Sequence, residues 1–101
     1  MSVLITVKVP GNTDVFRAAV AERGPELLEV AERAQSLGAI HHRFGVGDGF
    51  VLVVDEWDSP ATFEKFFTDP EMQAFIATIG ADTSVEPDIT VAEAISSPDQ
   101  F

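Results

Sequence analysis

Two adjacent histidines, His41 and His42, are the residues of this sequence best suited to acid–base chemistry. Imidazole exchanges a proton near neutral pH, and a carboxylate beside it orients the tautomer that a general base or a metal ligand requires. Two carboxylates, Asp55 and Glu56, follow about a strand's length further on. If the chain reverses between the histidines and the acids, the two kinds of side chain meet.

A hairpin turn at Asp48-Gly49 would bring about that reversal. This dipeptide is typical of two-residue type I′ turns, and such a turn fixes the register of every cross-strand pair behind it. His42 then lies opposite Asp55 on one face, and His41 lies opposite Glu56 on the other. The remaining pairs are Gly47 with Phe50, Val46 with Val51, Phe44 with Val53, Ile40 with Trp57, Gly45 with Leu52 and Arg43 with Val54.

The candidate catalytic residues are therefore His42, Asp55 and His41, with a histidine as the general base. The alternative is that both pairs only stabilise the sheet, as cross-strand pairs of opposite charge commonly do. Two histidines without a third ligand rarely hold a metal ion, so we predict no metal site.

Aromatic residues could form an apolar pocket beside these groups. The predicted pocket residues are Trp57, Phe63, Phe66 and Phe67, with Phe75 as a further wall and Arg43 as a hydrogen-bond donor. The alternative is that the phenylalanines, at helical spacing, form an ordinary core and that Arg43 meets acidic side chains at the surface.

The elements that position these residues follow in the order strand, broken helix, hairpin, kinked helix, strand. Their predicted ranges are 3–9, 13–37 with a break at Gly24-Pro25, 39–46, 50–57, 60–79 with a break at Asp69-Pro70, and 89–95. This order predicts an α+β fold of the ferredoxin-like βαββαβ type over residues 1–101, with both helices on one face of a four-stranded antiparallel sheet.

Composition excludes several classes of partner and site. With 17 acidic and 6 basic residues the formal net charge is -11, which would repel nucleic acid and anionic membranes. The chain has no cysteine and no signal-like or membrane-spanning segment, so we expect a cytoplasmic protein. No glycine-rich phosphate loop precedes a helix, and no Gly-x-Ser-x-Gly motif occurs, so we predict neither a nucleotide cofactor nor a serine hydrolase.

The third strand indicates a homodimer. Its run from Phe50 to Val54 offers apolar side chains to both faces of the sheet, although the helices can cover only one. A second copy of the sheet would cover the other face, and two-fold association is the commonest way to do so. The alternative is a monomer whose bare face binds a lipid-like ligand.

The segment Asp55-Glu56-Trp57-Asp58-Ser59-Pro60-Ala61-Thr62-Phe63, followed by Asp69-Pro70-Glu71-Met72-Gln73-Ala74-Phe75, resembles the second half of the dimeric α/β-barrel superfamily. The antibiotic biosynthesis monooxygenase branch is the most similar branch. The resemblance implies a homodimer whose two sheets form a barrel, with a small cavity between sheet and helices in each subunit.

That branch includes cofactor-independent oxygenases of aromatic compounds and haem-degrading enzymes. The haem-degrading pattern needs a histidine where Ile76 stands and a tryptophan where Phe66 stands, so the resemblance implies no haem and no other cofactor. The hypothesis is a small oxygenase or isomerase acting on an aromatic compound, with the resemblance pointing to a cofactor-independent monooxygenase. The alternatives are a non-catalytic dimer that binds a small apolar molecule and an accessory dimer without a ligand.

Overall fold

The computed structural model describes residues 1–101, which form four strands and four helices. In chain order these are β1 (Val3–Pro10), α1 (Thr13–Glu22), α2 (Gly24–Leu37), β2 (Ala39–Gly47), β3 (Phe50–Trp57), α3 (Pro60–Phe67), α4 (Pro70–Thr78) and β4 (Asp88–Glu93). The ferredoxin-like order expected from the sequence is confirmed, with each predicted helix divided in two.

Capping residues explain where the helices begin. Asn12 accepts hydrogen bonds from the backbone N–H groups of the first turn of α1, and Ser59 and Asp69 do the same for α3 and α4. Proline stands in the first turn of α2, α3 and α4, where its missing N–H would have had no helical partner. The same prolines prevent α1 from continuing into α2 and α3 from continuing into α4.

The four strands form one antiparallel sheet in the order β2-β3-β1-β4. The helices cover one face, on which Ile5 and Val7 of β1 and Trp57 of β3 are completely buried. We call the other face the open face, because Leu4 and Val54 are about half exposed on it. None of the four helices is both long and apolar enough to cross a lipid bilayer.

The core consists of two clusters beneath the helices. The larger contains Val3, Ile5, Val7, Trp57, Phe63 and Phe66, and the smaller contains Phe16, Ala19, Val51 and Ile79. Helices α2 and α4 contribute no fully buried residue to either cluster. These two helices contact the core only through partly buried side chains, which are Val30, Ala34 and Leu37 of α2 and Met72 and Phe75 of α4.

The β2–β3 register agrees with the predicted one at seven pairs and departs from it at the start of β2. A bulge between Ala39 and His41 leaves Ile40 unpaired, so that Ala39 instead of Ile40 lies opposite Trp57. The turn is also not type I′, because that type needs positive φ at both central residues and only Gly49, at 79°, has it. Strand β4 ends at Glu93, so Ile95 lies outside it.

Candidate functional site

A cavity of about 490 Å³ lies between the sheet and the helix layer. Strands β1, β2 and β3 and all four helices contribute to its wall, which is mostly apolar. The lining residues with polar side chains are Gln35, His41, His42, Arg43 and Asp55. Its volume falls in the range of sites that bind small organic molecules, and the few polar groups among apolar walls are typical of such sites.

His42 and Asp55 form a hydrogen-bonded pair at this cavity. Nδ1 of His42 lies 2.7 Å from Oδ1 of Asp55, across the strand pair that the hairpin register sets. Asp55 is only 8% exposed, whereas the side chain of His42 is 41% exposed. A deprotonated carboxylate can only accept hydrogen bonds, so Nδ1 carries the proton in the neutral ring and Nε2 is its proton acceptor. No residue of the chain bonds to Nε2.

Trp57 lies behind this pair and does not line the cavity. It is completely buried, and its indole N–H donates to Oδ2 of Asp55 at 3.0 Å. Trp57 and Asp55 are two residues apart on β3, so their side chains share the helix-covered face. Trp57, predicted as a pocket residue, is not among the residues that line the cavity, because its side chain lies in the core against Phe63 and Phe66.

Phe63, Phe66 and Phe67 do line the cavity, and Phe75 lines it from α4. Phe63 and Phe66 are also members of the larger core cluster. Phe63 and Phe66 therefore belong both to the core and to the cavity wall, because the larger core cluster borders the cavity. The rings of Phe63 and Phe67 are stacked with an interplanar angle of 13°.

His41 and Arg43 border the cavity at β2, but the strand alternation places them on the open face, opposite Glu56 and Val54. His41 forms no hydrogen bond with Glu56, which accepts one from the Ser2 hydroxyl instead. Arg43 forms no ion pair. The structure therefore brings His42 and Asp55 together and separates His41 and Arg43 from them.

Sequence reasoning missed two aromatic residues next to the histidine. The ring of Phe44 meets His42 edge to face, with centroids 4.5 Å apart, and Phe16 meets Phe44 in the same way at 4.9 Å. Both phenylalanines line the cavity. The predicted hairpin register places Phe44 on the same face as His42, so the register alone is sufficient to predict Phe44 as a residue of the site. Phe16 could not be assigned, because its helix is distant in sequence.

Arg23 connects the break between α1 and α2 to the end of α4. It donates to both carboxylate oxygens of Glu26 and to the hydroxyl and carbonyl of Thr78, and it lies over the ring of Phe75. The hydrogen bonds from Arg23 hold the pKa of Glu26 below its ordinary value. This contact links α2 to α4, two of the four helices that line the cavity.

No group of three or more histidine and acidic side chains is arranged to hold a metal ion. In the pair of His42 and Asp55, Nδ1 and Oδ1 are bonded to each other and do not face a shared position that a metal ion could occupy. What it can do is accept a proton at Nε2 from a molecule in the cavity, with the resulting imidazolium stabilised by the buried carboxylate.

No protein-family model matches the sequence, and no curated protein matches it significantly. The structure is similar to that of Rv0793 from Mycobacterium tuberculosis, with a TM-score of 0.61 and 12% identity over 98% of this chain and 100% of that one. It is also similar to an antibiotic biosynthesis monooxygenase, with a TM-score of 0.62 and 10% identity over 93% and 99% of the two chains.

A third similar structure is SnoaB, a cofactor-independent oxygenase from Streptomyces nogalater, with a TM-score of 0.58 and 10% identity over 98% of both chains. Identities this low establish a shared fold and not a shared activity. The chain has the α+β, ferredoxin-like fold of the antibiotic biosynthesis monooxygenase-like structures.

Proposed function

We propose that this chain is a cytoplasmic, homodimeric, cofactor-independent monooxygenase that acts on small aromatic compounds. The observation that carries the proposal is the hydrogen-bonded pair of His42 and Asp55 at the wall of an apolar cavity of about 490 Å³. The similarity to SnoaB, a cofactor-independent oxygenase, supports the same class of reaction.

The chemistry requires a substrate that can itself reduce oxygen. In the proposed reaction, Nε2 of His42 removes the proton of an acidic phenol, which gives an electron-rich anion. That anion supplies the electrons to O2: one oxygen atom becomes a carbonyl at a ring carbon, which gives a quinone, and the other leaves as water together with the phenolic hydrogen and the single hydrogen of that carbon. Asp55 stabilises the imidazolium that forms, and the apolar wall keeps bulk water from the anion.

Homodimerisation is proposed from the open face. Leu4 and Val54 are each about half exposed there on neighbouring strands, and no helix of the chain covers them. A second sheet packed face to face would bury these side chains at the usual spacing of about 10 Å between sheets. The cavity lies on the helix-covered side, so each subunit would keep its own site.

The test is oxygen consumption with purified protein, without added cofactor and with a chelator present. The probes are anthrone and a dihydroxynaphthalene. The oxygen uptake with each probe is corrected for the spontaneous oxidation of that probe. Oxygen uptake that scales with protein concentration and that falls in the His42→Ala variant supports the proposal. Oxygen uptake no faster than that of the probe alone would contradict it.

A non-catalytic binding dimer is the second candidate, and the apolar wall favours it, because burial of a ligand needs no titratable group. It predicts that the same probes bind without oxygen uptake. It also predicts that His42→Ala leaves their Kd unchanged within about twofold, since most of the contact area is apolar.

A further inference from the structure

Both carboxylate oxygens of Asp55 are engaged by different donors. Oδ1 accepts from Nδ1 of His42 at 2.7 Å, and Oδ2 accepts from the indole N–H of Trp57 at 3.0 Å. The tryptophan thus contacts the catalytic pair from the side away from the cavity. It touches no molecule that the cavity could hold, so any effect on chemistry must pass through Asp55.

The indole is a fixed donor because the core holds it in place. Its ring meets Phe63 edge to face at 5.6 Å and Phe66 at 5.4 Å. On the neighbouring strands its register partners are Val3 of β1 and Ala39 of β2. A completely buried ring packed on these sides cannot turn its N–H towards another acceptor without disturbing the core.

We infer that Trp57 is a positioning residue for His42. Its N–H pins Oδ2 of Asp55, which leaves Oδ1 facing Nδ1 of His42, keeps the proton on Nδ1 and leaves Nε2 free to accept one from the substrate. The inference rests on the proposed role of His42 as general base. Its test does not, because the tautomer of a histidine can be measured without any substrate.

The variant Asp55→Asn shows whether Trp57 holds the side chain at position 55 in one orientation or leaves it free to turn. An amide has one oxygen and one NH2 group, and their orientation decides the tautomer of His42. If Trp57 pins the acceptor, the amide oxygen takes the place of Oδ2 and the NH2 group faces Nδ1. Nδ1 must then accept, so the proton moves to Nε2. The dominant tautomer is expected to invert.

A second substitution, Trp57→Phe in the Asp55→Asn background, removes the pinning donor. The amide can then turn its oxygen to His42, so the fraction of the wild-type tautomer is expected to rise above that of Asp55→Asn alone. The readout is the pair of ring 15N chemical shifts of His42 at alkaline pH, where histidine rings are neutral. The exposed His41, the only other histidine, is the internal reference and is expected to keep its shifts in all variants.

If the variant with Trp57→Phe fails to fold, an isosteric replacement of Trp57 removes the indole N–H in another way. Trp57 is the only tryptophan, so growth with 3-benzothienylalanine exchanges its N–H for sulfur and changes nothing else. Growth with 5-fluorotryptophan keeps the N–H and is the matched control. In the Asp55→Asn background the sulfur analogue is expected to raise the fraction of the wild-type tautomer, and the fluoro analogue is expected to leave the tautomer inverted.

An unchanged tautomer in Asp55→Asn, or a tautomer ratio in that background that is the same with and without the indole N–H, would overturn the inference. Failure of the proposed function looks different. In that case the tautomer responds as described, but neither the wild-type protein nor any variant consumes oxygen with the phenolic probes.

Discussion

His42 and Phe44 stand two residues apart on β2, and their rings meet edge to face at 4.5 Å with an interplanar angle of 85°. The phenylalanine thus contacts the imidazole from the cavity-lining face, while Asp55 holds it at Nδ1. Because both contacts restrict the ring, Nε2 has a fixed place in the site, as a general base requires.

Removal of the proposed base should abolish most of the activity without unfolding the protein. His42→Ala is expected to lower kcat/KM by roughly 10²- to 10⁴-fold, the usual contribution of general acid–base catalysis. The comparison is His41→Ala, which removes the other histidine at the cavity border, a side chain without a carboxylate partner. Oxygen-uptake kinetics check this: equal losses in the two variants would contradict the assignment of the base to His42.

A bulky side chain in the cavity should exclude the ligand. Ala31 of α2 lines the cavity, and Ala31→Phe is expected to raise the Kd of an aromatic probe by at least about tenfold, or about 1.4 kcal/mol. Ala18→Phe adds the same volume at an exposed position of α1 outside the cavity and should leave the Kd unchanged. Titration calorimetry measures both. Unchanged binding by Ala31→Phe would place the ligand elsewhere.

Glycine is required where α2 turns into β2. Gly38 has a φ of 134°, a backbone conformation that residues with a Cβ rarely adopt. Gly38→Ala is expected to lower the free energy of unfolding by roughly 1–3 kcal/mol. Gly24→Ala is the control, since a Cβ there meets nothing within 4 Å, and it should be neutral or stabilising by up to about 1 kcal/mol. Urea denaturation distinguishes the two, and equal effects would refute the steric argument.

A charge on the open face should weaken the proposed dimer. Val54 is 46% exposed on that face, and Val54→Lys is expected to shift the molecules towards monomers at micromolar concentration, because the lysine would be buried against the second sheet. Val20→Lys is the matched control, as Val20 is 45% exposed but lies on α1. Sedimentation equilibrium gives the association constants. Dissociation by the α1 variant alone would move the interface to the helices.

The contact between Arg23 and Glu26 should make stability depend on acid pH. The pKa of Glu26 is lowered by its hydrogen bonds from Arg23, so its ionised form favours the folded state. That contribution is present above the pKa of the unfolded carboxyl and is lost as pH falls through the lower pKa of the folded one. Urea denaturation of wild type and Glu26→Gln should therefore differ near neutral pH and converge once the pH lies below the lowered pKa of the folded Glu26 carboxyl. A constant difference would contradict this.

The element order and most of the hairpin register could be predicted because their signals are local. Asn12, Ser59 and Asp69 cap their helices through neighbouring backbone groups, and Gly49 fixes the turn within a few residues. The same register was enough to pair His42 with Asp55. The bulge at Ile40 was not predictable, because alternation at the start of β2 gives no sign of an extra residue.

The place of Trp57 could not be predicted either. Its position on β3 shows which face of the sheet carries the side chain. It does not show whether the side chain is buried in the core or lines the cavity, because that depends on how closely the helices pack. Since α3 packs onto the sheet through Phe63 and Phe66 while α2 and α4 contribute no fully buried residue, the cavity opens beyond the tryptophan. This packing involves residues distant in the chain, which no local pattern reports.

The bulge at Ile40 separates the two ends of β2. On its C-terminal side, the pairing from His41 to Gly47 is set by the turn into β3, and on its N-terminal side Ala39 follows the end of α2. A residue gained or lost between α2 and His41 is absorbed at the unpaired position and leaves the histidine opposite Asp55. A change in the length of α2 can therefore leave the pair of His42 and Asp55 in place.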